Sequence, residues 1–68
     1  MIKAFLLTVV WVMPGTADIK PEVVQYDLNV ATIADCYKAG IEHSKELFEK
    51  HEHTGSVRYI CFDKENVP

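Results

Sequence analysis

The stretch from Ile2 to Met13, IKAFLLTVVWVM, is apolar at nearly every position and is interrupted only by Lys3 and Thr8. A helix needs about 20 apolar residues to cross a bilayer, so a run of roughly a dozen is too short to form a stable span. Its composition favours a strand: Phe5, Thr8, Val9, Val10, Trp11 and Val12 are strand formers, and positions of both parities are apolar. That is the pattern of a strand covered on both faces. Pro14-Gly15 follows, with proline suited to the first central position of a type II turn and glycine to the second, where φ is positive.

A second strand is predicted in EVVQYDL, residues 22–28, where Val24, Tyr26 and Leu28 alternate with Val23, Gln25 and Asp27. Pro21 just before it cannot donate to a ladder, which places this strand at a sheet edge. From Thr32 the period becomes helical: Ile33, Cys36, Tyr37, Gly40, Ile41, Ser44, Leu47, Phe48 and His51 recur at three- and four-residue steps and form one stripe. Thr32 with Asp35 approximates a capping box, Lys50 and His51 suit the negative end of the helix dipole, and Gly55 offers a stop. A last strand is expected in SVRYICF, residues 56–62, followed by a polar tail over 63–68.

The expected order is therefore ββαβ in a single α+β domain over residues 1–68. A hairpin followed by a right-handed helical return puts the first strand in the middle of a three-stranded antiparallel sheet of order 2-1-3, with one amphipathic helix on one face. In a chain of 68 residues such a core contributes about 3–5 kcal/mol before a staple or a partner is added. One helix covers one face only, so either Phe5, Leu7, Val9 and Trp11 or Leu6, Val10 and Val12 remain on an uncovered apolar face, which marks an interface. The expected contact residues are Phe5, Leu7, Val9 and Trp11, with Tyr26 and Tyr59, because aromatic side chains dominate interface energies. The expected partner is a second copy or a larger protein. Ten acidic residues against seven basic ones, with Arg58 the only arginine, argue against a nucleic-acid surface.

The side chains that carry chemistry are few. Cys36 and Cys61 lie far apart in sequence and in no CxxC arrangement. They are compatible with one disulfide in an oxidising compartment or with two buried thiols in a reducing one. Cys36 near the helix start and Cys61 late in a strand facing that helix lie where a bridge is feasible. In EKHEHTG, His51 and His53 are weak metal candidates, since the spacing is not HExxH and both sit where a solvated helix end is expected. Neither cysteine has a neighbouring base in sequence and no glycine-rich phosphate loop is present, so no enzymatic activity and no cofactor are expected. A cytoplasmic location follows if the first run is a strand. The alternative is export: Lys3, the apolar run, Pro14 and Gly15-Thr16-Ala17 match a signal cut before Asp18, leaving an envelope peptide of residues 18–68 closed by Cys36–Cys61. A further alternative is an oligomer that holds a small anion near Lys20, Lys38 or Arg58.

With its apolar start, the turn in MPGTADI, the cysteine in TIADCYKAG and the second cysteine in VRYICF, the chain resembles short accessory proteins of tailed bacteriophages. That resemblance implies a protein that binds and inhibits, caps or sequesters a host component, and it carries over no functional residue.

Overall fold

Alternating burial along the first strand organises the molecule. In the computed structural model, which describes residues 2–15 and 19–66, strand β1 spans Lys3–Val12. Its odd-numbered side chains Phe5, Leu7, Val9 and Trp11 are all at most 4% exposed, whereas Leu6, Thr8, Val10 and Val12 on the other face are only half-buried. Both parities are apolar for different reasons: one set packs under a helix, and the other gains cover only from flanking strands.

Strand β2, Glu22–Val30, runs antiparallel to β1 from Lys3 opposite Val30 to Trp11 opposite Glu22. It continues two residues past the predicted end because Asn29 and Val30 still pair with Ala4 and Lys3. Strand β3, Ser56–Asp63, pairs antiparallel with the other side of β1, from Phe5 opposite Asp63 to Val12 opposite Ser56. The order β2-β1-β3 is the predicted one, with Pro21 at the start of an edge strand and β1 in the centre. The chain beyond β3 is less tail-like than expected: Asp63 belongs to the strand, Lys64–Asn66 form a 3-10 turn, and Lys64 donates to Asp27 of β2 at 2.6 Å.

Helix α1 spans Ile33–Lys50. Thr32 caps it by accepting from the Asp35 backbone N–H at 3.3 Å, while its own hydroxyl donates to the Asp35 carboxylate at 3.1 Å. The far end differs from expectation. The helix stops at a His51 cap because Glu52 and His53 both adopt left-handed backbone, with φ of 59° and 61°. Their N–H groups donate back to the Glu49 and Phe48 carbonyls at 3.0 and 2.9 Å, the paired pattern of a Schellman motif.

Gly55 is not the stop but has another role. It sits at φ 83°, and a Cβ there would lie 2.6 Å from both the Trp11 indole nitrogen and the Val12 carbonyl oxygen. The missing side chain lets the Trp11 ring lie against the backbone and donate from Nε1 to the Thr54 carbonyl at 2.8 Å. Gly40 does the same for helix packing, since a Cβ would meet the Tyr59 ring at 2.6 Å. The helix leans over β3 and β1 and hardly over β2. Its disulfide adds to that bias: Cys36 in the first turns of α1 is bonded to Cys61 in β3, with Cα atoms 6.3 Å apart. The result is a thin two-layer slab, 42 × 25 × 13 Å.

Candidate binding surface

The six side chains expected at an interface are not on the outside. Phe5, Leu7, Val9 and Trp11 are core residues beneath α1, and Tyr26 and Tyr59 are half-buried against the same core. The physical reason is parity. Register pairs Val9 with Val24 and Tyr59, and Leu7 with Tyr26 and Cys61, so the face that carries Cys61 is the face that α1 covers. The uncovered face carries the other apolar set, Leu6, Val10 and Val12, together with Val23, Ile60 and Phe62.

Of the exposed large apolar side chains, Ile2, Ile19 and Val23 lie away from β3 and the other five flank it. On the open face of β3, Ile60 and Phe62 remain 48% and 44% exposed. On α1, three members of the predicted stripe are also outside it: Ile33, Tyr37 and Ile41 are 46%, 38% and 44% exposed. The buried line of the helix is Cys36, Gly40 and Leu47, with Ala39, His43, Ser44 and His51 half-buried beside it. Ile33, Tyr37 and Ile41 lie one step further round, on the side of Gly40 that faces Tyr59, where the Tyr37 and Tyr59 rings meet edge to face at 6.0 Å. They overhang the outer edge of β3. Among the described residues that strand has one strand neighbour, β1.

The β2 margin has the opposite character. Its open face bears Gln25, Asp27 and Asn29, with Val23 the one large apolar side chain among them. Two ion pairs, Glu22 with Lys50 at 2.9 Å and Asp27 with Lys64 at 2.6 Å, tie it to the helix and to the C-terminal turn. Between α1 and β2 lies a cleft of ≈ 280 Å³ lined by Glu22, Val24, Tyr26, His43, Glu46, Leu47 and Lys50. The Lys50 ammonium, hydrogen-bonded to Glu22, holds that carboxyl below its ordinary value of 4.5, against the smaller opposing effect of desolvation.

The histidines are structural in this arrangement. His51 stacks on Trp11 with ring centroids 3.7 Å apart and planes 8° from parallel, and His43 stacks on Tyr26 at 3.9 Å and 16°. Each ring extends an aromatic platform from the sheet to the helix. His51 is thus packed rather than solvated, with Nε2 3.4 Å from Glu22, whereas His53 is exposed and meets Phe48 edge to face. Sequence reasoning missed the inward position of His43, although its spacing of seven from Cys36 and of four from Leu47 places it on the buried line. Among the described residues no group of three or more His, Cys, Asp or Glu side chains is arranged to hold a metal ion. Both cysteines are in the disulfide, so neither presents a thiol nucleophile. Lys38 on the outer side of α1 and Arg58 on the open face of the sheet stand on opposite sides of the molecule.

The class defined by this geometry is a disulfide-stapled α+β domain: a three-stranded antiparallel sheet, one helix, and an apolar margin along β3. No protein-family model, curated protein or solved structure matches the chain. No helix among the described residues is long and apolar enough to cross a membrane.

Proposed function

We propose that the protein acts by association, as a small accessory, adaptor or inhibitor whose apolar β3 margin docks on a protein surface, and that it performs no catalysis. One observation carries this reading. Ile33, Tyr37, Ile41, Ile60 and Phe62, five of the eight exposed large hydrophobic side chains among the described residues, flank the outer side of β3. Apolar surface gathered in one place is unfavourable in water and is retained where a partner covers it. The accessory role also agrees with the resemblance to small bacteriophage proteins. The test is sedimentation of the full chain at low micromolar concentration, read together with binding of a hydrophobic dye. The expected result is an assembly, or a monomer that binds the dye; a monomer that binds none contradicts the reading.

A second reading, folding in an oxidising compartment such as the periplasm, is favoured by the Cys36–Cys61 disulfide over a cytoplasmic location. In that reading β1 stays in the folded product. A chain starting at residue 18 would lack Phe5, Leu7, Val9 and Trp11, four of the seven buried core side chains. The small residues proposed to precede a cleavage site, 16 and 17, lie outside the described residues.

A further inference from the structure

We infer that the Cys36–Cys61 bond is a redox-sensitive clasp on half of the helix: its reduction releases residues 33–40 of α1 from the sheet and leaves residues 41–50 docked, with Gly40 as the hinge. The two halves of α1 are fastened by different means. In the second half Leu47 enters the core, His43 stacks on Tyr26, and Lys50 pairs with Glu22 of β2. Directly after it the His51 ring stacks on Trp11, and the Trp11 indole holds the following turn by donating to the Thr54 carbonyl. These ties are non-covalent, they reach both β1 and β2, and none involves a cysteine.

The first half lacks such anchors. The side chains it turns towards the sheet are Cys36, Ala39 and Gly40, which are small, while the large Ile33 and Tyr37 remain exposed. Burial stabilises in proportion to the apolar area covered, so these contacts dock the segment weakly. Among the described residues no ion pair joins residues 33–40 to the sheet. Tyr59 meets Tyr37 edge to face and lies close under Gly40, and the remaining tie is the bond to Cys61. Local stability is equally uneven. Gly40 weakens the helix where the halves join, and isolated helices shorter than about 12–15 residues are marginal in water, so a released first half does not hold its helix.

The reductant is a dithiol. It gives two electrons and two protons to the two sulfurs; the Cys36–Cys61 bond breaks, two thiols form, and the dithiol closes to its own disulfide. Cys36 and Cys61 are both buried in the core, so the reductant reaches them when helix and strand separate transiently. Leu7 lies beside Cys61 on the covered face of the sheet. The redox state thus sets how much of the odd-numbered face of β1 is open to a binding partner.

The test is amide hydrogen exchange, read residue by residue by NMR on the full chain before and after reduction with dithiothreitol. The double variant Cys36→Ala/Cys61→Ala supplies the cut state without reductant. On reduction, residues 37–40 are expected to exchange within about tenfold of the unfolded rate, while residues 47–50 and β1 stay protected at least about a hundredfold; the double variant should show the same pattern. Equal loss along the whole helix, global unfolding, or unchanged protection at residues 37–40 overturns the proposal. His51→Ala makes the converse test with the clasp closed. In the oxidised chain it should lower protection of residues 47–50 at least about tenfold more than that of residues 37–40, and an equal loss in both halves would show that α1 docks as one body.

Discussion

Gly40 shows how much one absent methyl group can decide. A Cβ at this position would sit 2.6 Å from the Tyr59 ring, and that ring is held between α1 and the sheet by Tyr37 and the core. Gly40→Ala ordinarily strengthens a helix interior by about 1 kcal/mol. Here overpacking outweighs the propensity gain, and a net loss of about 1–2 kcal/mol is expected in denaturant unfolding. A gain in stability would show that the helix rides higher above β3 than described. Glu22 makes a prediction of the opposite kind, in pH. Its carboxyl is held low chiefly by Lys50, so the folded form binds its proton less readily than the unfolded chain does. The corresponding stabilisation is present above the ordinary value of 4.5 and is lost as pH falls through the folded one. On acidification below the ordinary value of 4.5 the thermal midpoint of the wild type is expected to fall more steeply than that of Glu22→Gln; parallel slopes would mean that the pair contributes nothing.

The elements differ in how openly their sequences announce them. The first strand is legible because twelve nearly unbroken apolar residues cannot be a surface segment, and the strand order follows from the connections alone. The covered face of that strand is not legible, because Phe5, Leu7, Val9 and Trp11 and their even-numbered neighbours are equally apolar; only pairing across β3 to Cys61 separates them. The same limit applies to α1. Hydrophobicity placed Tyr37 and Ile41 on the buried stripe and left His43 off it, whereas His43 packs there beside His51, because rings stacked on Tyr26 and Trp11 pack as well as aliphatic side chains do. The helix end is a further case, since Gly55 drew attention from Glu52, which holds φ 59° at the position where glycine is usual. Glu52→Gly is therefore expected to stabilise the fold by about 0.5–1 kcal/mol in chemical denaturation, the relief of left-handed strain exceeding the added chain entropy. A destabilised variant would show that the Glu52 side chain matters more than its backbone.

The whole molecule is a sheet with one face covered, and that imbalance links its stability to its function. A chain of 68 residues has a thin core, and the Cys36–Cys61 bridge, which closes a loop of 25 residues, adds about 3 kcal/mol by restricting the unfolded state. Reduction should therefore lower the unfolding free energy by about that amount and loosen α1 from β3, where both the staple and the apolar margin lie. Unchanged stability after reduction would mean that helix packing alone holds the two layers together. The central claim is that α1 shields the odd-numbered face of β1 and leaves the even-numbered face and the β3 margin open. Its most direct test is the relaxation of side-chain methyl NMR signals by a soluble paramagnetic probe, at a concentration where the chain is monomeric. Strong relaxation of Val10, Ile41 and Ile60 with Leu7 and Val9 unaffected is the predicted result; relaxation of Leu7 and Val9, or shielding of both faces alike, would contradict it.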